Sequence, residues 1–260
     1  MEFDVLLPTV VFLVVSTSVL AYRRFEKKVT VLFEERKLNI RDIILIAASM
    51  GLMVTVMAFT PSRAIQIVFI VAYSYMLFSF TYIALRRWYV AILPPIAFIL
   101  LYNFYWQLLV FNLFVVVFAI VIPVYLGSLF SWKTTWVFAV LVTILDVVQV
   151  FGTGFMGEYA AKTMELRLPV LLMLPTYPNE GLVGLGLGDL FLAGLLAVQT
   201  ALKRGQKTGI LIAATIGLAM FIFEMALFNT TFFRFFPATV VVIAGWITGM
   251  GISRLIHLGP

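Results

Sequence analysis

Nine times along this chain the side chains stay apolar for about 18 residues or more. The blocks cover residues 5–22, 43–60, 64–85, 89–106, 109–130, 134–151, 182–202, 208–228 and 235–256, to within about three residues. A run of about 20 apolar residues matches the hydrocarbon thickness of a bilayer. Backbone in lipid must satisfy its hydrogen bonds within its own segment, which leaves the helix as the form such a run can take. The expected fold is therefore an all-α, polytopic transmembrane bundle of nine spans. It forms one integral membrane domain over residues 1–260, with spans one to six in 1–152, a connecting loop at 153–181 and spans seven to nine in 182–260. Only 12% of the residues are charged and 63% are hydrophobic, against about 25% and 45–50% in a soluble domain. A soluble globule of this composition would have almost nothing to place on its surface.

The distribution of positive charge orients the bundle. Fourteen of the 18 Lys and Arg residues lie in the odd-numbered connections and the tail: Arg23, Arg24, Lys27, Lys28, Arg36, Lys37, Arg41, Arg86, Arg87, Lys133, Lys203, Arg204, Lys207 and Arg254. The even-numbered connections hold Arg63, Lys162, Arg167 and Arg234. Positive loops stay in the cytoplasm, so the amino terminus is expected outside, the carboxyl terminus inside and the chain in the cell membrane. The net charge of +6 thus reads as a topology signal, with the bilayer and not nucleic acid as the partner. Glu2 and Asp4 stand where a secretory signal would be positive, so the first block is expected to be a retained helix. Gln107 and Leu108 alone separate blocks four and five, and Pro94, Pro95 and Pro123 are expected to kink or interrupt helices.

Two connections are long. Residues 22–41 read as a basic interfacial helix resting on anionic lipid. In the loop at 153–181, the apolar stretch 166–175 is too short to cross a bilayer. A strand, a re-entrant flap and a packed loop all remain open for it.

Chemistry enters through the acids. A charge at the bilayer centre costs at least about 2.5–3.5 kcal/mol, so an acid within a span is by default functional. Asp146, Asp189 and Glu224 are the three. Asp146 lies about six residues from the end of block six, roughly 9 Å deep at 1.5 Å per residue, and Asp189 lies roughly 10 Å deep in block seven. Matching depth on consecutive antiparallel helices lets the two carboxyls meet. Two carboxyls in contact hold about one proton between them near neutral pH, which suits either acid–base attack of water on a peptide bond or a proton relay. Gly184, Gly186, Gly188 and Gly194 bare the backbone around Asp189, for close approach of a helix or a substrate. A plain small-residue packing interface explains them as well. Glu224, near the outer end of block eight, is expected to snorkel or to bond the ninth span. Asn103, Gln107 and Asn112 with Tyr102, Tyr105 and Trp106 read as an aromatic interfacial belt, and His257 as a boundary residue. Pro237 is a plain helix-start signal.

Asp146 late in one span, Gly186-Leu187-Gly188-Asp189 in the next and Pro237-Ala238-Thr239 at the start of the ninth resemble the presenilin and signal peptide peptidase group of intramembrane aspartyl proteases. The resemblance covers about residues 134–256. The family usually has Tyr before the first aspartate and Leu as the third ninth-span residue, where this chain has Leu145 and Thr239. The resemblance implies an intramembrane aspartic endopeptidase that cuts transmembrane segments or signal peptides. It makes Asp146 and Asp189 catalytic, places Gly186, Gly188, Pro237, Ala238 and Thr239 at the substrate, and needs no cofactor or metal. The competing reading is a proton- or ion-coupled transporter using the same carboxylates, against which stands the lack of paired broken helices in the two halves. No Gly-x-Ser-x-Gly or His-Glu-x-x-His pattern supports serine or metal chemistry.

Overall fold

The computed structural model describes residues 3–32, 37–153, 161–178, 181–229 and 236–256. Arg36, Arg234, Phe235 and His257 fall outside these residues. The chain forms α1 (Leu6–Leu32), α2 (Ile40–Phe59), α3 (Ser62–Leu85), α4 (Trp88–Ala91), α5 (Leu93–Phe104), α6 (Leu108–Leu126) and α7 (Trp132–Val147). A turn of π-helix (Val148–Thr153) ends α7 and an antiparallel pair follows, β1 (Leu171–Pro175) and β2 (Leu182–Gly186). Helices α8 (Leu187–Arg204), α9 (Gln206–Phe228) and α10 (Ala238–Leu255) complete it. The chain is mostly helical, and seven helices are long and apolar enough to cross a membrane: α1, α2, α3, α6, α7 with its π turn, α9 and α10. That makes it a membrane protein by length and composition.

One expectation is met and two need correction. Block four is interrupted at its prolines: α4 ends at Ala91 and α5 starts at Leu93, because Pro94 and Pro95 bring no N–H to a helix and are tolerated only in its first turn. Block seven opens as strand over residues 182–186, and helix starts at Leu187. In the stretch at 22–41, the described residues up to Leu32 do not form a helix of their own. Helix α1 runs unbroken through it to Leu32, with Tyr22 and Val29 buried.

Helix α8 is the centre of the bundle. It packs against α1, α6, α7, α9 and α10, and an unbroken run from Leu190 to Thr200 is buried. A helix apolar on every side has nowhere to go but inside. Small residues let its neighbours close in. Gly194 faces Pro123 of α6, Gly209 of α9 faces Ala201, and Gly245 of α10 lies against the backbone of Ile216 and Thr215. Trp246 is fully buried and donates its indole N–H to Thr200 Oγ1 at 2.9 Å. A second aromatic group, Tyr73, Phe98, Phe114 and Phe118, locks α3, α5 and α6 together. Helix α2 is the exception, with Leu45, Leu52 and Val56 all exposed.

The stretch at 166–175 resolves as strand in its second half. In its register Leu171 pairs with Gly186 and Pro175 with Leu182. Leu187 N–H extends the ladder to Val170 O at 2.8 Å. The segment before β1 and the hairpin are tied across helix ends. Asp4 accepts the N–H groups of Leu6, Leu7 and Tyr177 at 3.1, 3.0 and 2.8 Å, capping α1 and pinning the turn. The Asn112 amide brackets Met173, donating to its carbonyl at 2.5 Å and accepting from its N–H at 3.0 Å. Tyr102 donates to Leu166 O at 2.8 Å and Trp106 to Arg167 O at 2.7 Å. Lys162 donates to the last carbonyls of α2, at Met57 and Thr60. The residues expected to form an aromatic belt thus include three that anchor this segment.

A Cβ at Gly245 would stand 2.7 Å from Ile216 Cα and 2.9 Å from Thr215 O, atoms that cannot swing aside, whereas one at Gly251 would meet nothing within 4 Å. Gly245→Ala is expected to destabilise the fold by about 1–3 kcal/mol through overpacking. Gly251→Ala should be neutral or slightly stabilising, since Ala is the better helix former. Thermal unfolding of both variants in detergent checks the pair, and equal midpoints would refute the close α9–α10 contact.

Candidate functional site

Three local features deliver the two aspartates to one place. Helix α7 begins with a reciprocal cap, Ser131 Oγ accepting from Thr134 N–H at 3.2 Å and Ser131 N–H donating to Thr134 Oγ1 at 2.8 Å. That start sets the phase of the helix, and Asp146 falls one residue before its end. The strand-to-helix change at Gly186 puts Asp189 in the first turn of α8, as the third helical residue. Helix α10 starts just after Pro237, with Thr239 in its first turn.

Asp146 and Asp189 line one cavity of about 450 Å³ together with Gly186, Gly188 and Thr239. Most of the remaining wall is apolar, including Met50, Phe69, Tyr73, Ile122 and Phe191. Both carboxyls are half-buried. Asp189 faces the backbone amide of Gly186 and lies within electrostatic reach of Asp146. A Cβ on Gly186 would come within 2.8 Å of Asp189 Oδ2, so the bare α-carbon is what lets that carboxyl sit where it does. Gly188 is exposed to open space, with nothing within 4 Å of a Cβ placed on it.

Thr239 touches the first aspartate directly. Its hydroxyl donates to Asp146 Oδ2 at 2.7 Å and its N–H approaches the same oxygen at 3.4 Å. Pro237 is buried and Ala238 half-buried at the head of the same helix, and neither lines the cavity.

The sequence reasoning passed over Gln149. It lines the cavity one turn beyond Asp146 and donates from Nε2 to Gly51 O of α2 at 3.1 Å. The signal was present: an amide three residues after an in-span acid falls on the same side of the helix. Glu224 neither snorkels nor bonds α10. It is 3% exposed, and its two carboxyl oxygens have no hydrogen-bond partner. Among the described residues no group of three or more His, Cys, Asp or Glu could hold a metal ion.

No family model and no curated protein matches this sequence. What the site can do must therefore be argued from its own geometry. Two carboxyls share a largely apolar space of about 450 Å³, one held by a hydroxyl and a helix start, the other beside a backbone amide. Such a pair can take a proton with one member and give one with the other.

The two glycines should behave differently. Gly188→Leu points into open cavity, so stability should stay within about 0.5 kcal/mol of the native chain, while reaction of Asp189 with a carboxyl-directed reagent should fall. Gly186→Ala should displace the Asp189 carboxyl at the same small cost in stability. If Gly188→Leu lowers the unfolding midpoint in step with the loss of reagent access, Gly188 is a packing residue instead.

Proposed function

We propose that this chain is an intramembrane aspartic endopeptidase of the presenilin and signal peptide peptidase type, which hydrolyses peptide bonds in transmembrane segments or signal peptides. The observation that carries the reading is the shared cavity of Asp146 and Asp189, lined from two helices and, through Thr239, from a third. The ionised carboxylate takes a proton from water as its oxygen attacks the peptide carbonyl, and the protonated partner gives its proton to the carbonyl oxygen. The resulting gem-diol collapses when the newly protonated member gives its proton to the leaving nitrogen and the other takes one back from a hydroxyl. The C–N bond breaks, and the dyad returns to one shared proton.

A peptide bond inside a helix is shielded by its own turn, so the substrate must open locally. Strand β2 offers the opened segment a partner, since among the described residues its sheet has two strands and one edge of β2 is unpaired. That strand runs directly into Gly186 and the cavity.

The same proposal includes nine spans in the cell membrane, with the amino terminus outside and the carboxyl terminus cytoplasmic. Two features support it. All nine apolar blocks carry helix, and the contacts at their ends fall into two sets. Asp4, Lys162, Asn112 and both aspartates cluster with the hairpin. Arg23 with Gln206, Lys28 with Ala84 O, Lys37 with Ser128 O and Arg204 with Ser253 form the opposite, basic set. The basic set belongs in the cytoplasm.

The decisive experiment is cleavage of a single-span reporter by the purified chain in lipid vesicles. Asp146→Ala and Asp189→Asn should each lower the rate at least 100-fold, the smaller end of what a general acid or base contributes, while the protein stays folded. Either variant keeping more than about a tenth of the rate would contradict the dyad mechanism.

An extended substrate beside a fixed dyad has a direction. In the group this chain resembles, the branch with an external amino terminus is associated with substrates whose amino terminus is cytoplasmic. That preference is expected here, with unwinding in the outer third of the bilayer. One reporter segment inserted in both orientations measures it. Equal cleavage of the two would refute the preference, and a cytoplasmic tag in the 153–181 loop would refute the topology.

A further inference from the structure

The head of α10 lacks the residue that normally closes a helix start. Its N-cap is Pro237, which has no side-chain acceptor, and no side chain caps the helix locally. The first N–H groups of a helix have no partner within it. Here the vacancy is filled from another helix, because Asp146 Oδ2 of α7 stands over the first turn and takes the Thr239 hydroxyl at 2.7 Å, with the Thr239 N–H at 3.4 Å. A negative charge is favoured at that end of a helix.

Thr239 is 3% exposed. Two apolar choices, Leu or Val, would fill such a site without a hydroxyl that needs a partner. The hydroxyl is spent on one carboxylate oxygen. The other groups around Asp146 offer nothing comparable. Helix α2 presents Met50 and Gly51, the π turn presents Gln149 with its amide engaged on Gly51 O, and α8 presents Asp189. Helix α3 presents Tyr73, whose hydroxyl donates to Pro169 O at 3.4 Å, so Asp189 is the carboxyl that competes with Asp146 for the proton. It also sits in a helix's first turn, but faces one backbone amide and no hydroxyl.

We propose that Thr239 is a positioning residue that, with the first turn of α10, holds Asp146 in place as the ionised member of the dyad. Asp146 is then the base that takes the proton from water, and Asp189 carries the shared proton to the carbonyl oxygen. The assignment of base and acid rests on the protease reading; the pairing of Thr239 with Asp146 does not.

The test compares Thr239→Val, which keeps the shape and removes the hydroxyl, with Thr239→Ser, which keeps the hydroxyl, in the full chain in lipid vesicles. Thr239→Val should lower kcat by about 10- to 100-fold, the range for a hydrogen bond to a charged group. KM should stay within about twofold, as for loss of an interaction made in the transition state, and Thr239→Ser should restore kcat. Removing a donor from the base should move the acid limb of the kcat profile and leave the alkaline limb in place. Movement of the alkaline limb instead would overturn the assignment of Asp146 as base. Unchanged kcat in Thr239→Val, equal losses in both variants, or a rise in KM alone would overturn the positioning role.

A second readout does not need proteolysis. The infrared carboxylate band that Asp146→Asn removes should shift in Thr239→Val and return in Thr239→Ser. If the native chain cleaves no reporter while that band responds, the pairing stands and the protease reading fails. If the band does not respond, the pairing fails.

Discussion

Backbone in an apolar medium must have its hydrogen bonds satisfied, and the architecture follows from where this chain breaks that pattern. Over residues 182–186 an apolar stretch gives up the helix and becomes strand. Irregular backbone at membrane depth is tolerated where it is buried in protein or lines a cavity, and β2 meets the second condition through Gly186, while Leu182 and Gly184 are exposed. Its ladder with β1 satisfies one edge, Leu187 N–H continues to Val170 O, and the strand ends at the cavity wall at Gly186. The anchors on β1 and the segment before it follow from the same need. Asp4, Asn112, Tyr102 and Trp106 each use a polar side chain to hold a backbone group there. Without those anchors a two-stranded sheet would be marginal on its own.

Much of this was legible in the residues. Hydropathy located the ten helices named above, because continuous apolarity admits little else in lipid, and it missed the helical turn at 161–165. The depth argument put Asp146 and Asp189 at one level, and they line one cavity. What hydropathy could not register was the change at Gly186. Leu182, Val183 and Leu185 are as apolar in a strand as in a helix, and the alternating glycines that mark the strand served equally well as a helix-packing stripe. Asn112 looked like a membrane-interface residue because nothing local shows that its partner, Met173, lies 61 positions away. Set against the motif it resembles, Thr239 in place of a leucine read only as a departure. In the fold it is the hydroxyl that meets the first aspartate.

Four of the acids at this end of the bundle show how differently one chain can accommodate a carboxyl. Asp4 is fully buried, and three backbone N–H groups take up its oxygens. Asp146 has a hydroxyl and a helix start, and Asp189 a single amide beside open cavity. Glu224 has no hydrogen-bond partner for either oxygen. Leaving a buried polar group unpaired costs about 1–3 kcal/mol, and more when it is charged. Asp4 is fully committed to holding backbone, whereas Asp146 and Asp189 keep coordination free toward a cavity that water can fill.

The walls of that cavity differ in firmness, and the difference follows from packing. On one side stands α8, buried along most of its length and touching five helices. On the other stands α2, whose principal contact is α7 and whose outer face is exposed. The contact is made at Gly51, where a Cβ would come within 3.1 Å of Leu145 and where Gln149 bonds the Gly51 carbonyl. Elements with few buried contacts open at lower free energy than the core. The dyad is therefore built on the rigid side, with Asp189 on α8 itself and Asp146 tied to α10. The side that can yield brings no acid to the cavity, since the one acid of α2, Asp42, lies in its first turn, away from the cavity-lining residues Met50, Gly51, Met53 and Val54. The Gly51–Gln149 bond joins the two sides: it holds α2 closed from a residue one turn beyond Asp146, so any widening there must break a hydrogen bond made beside the dyad itself.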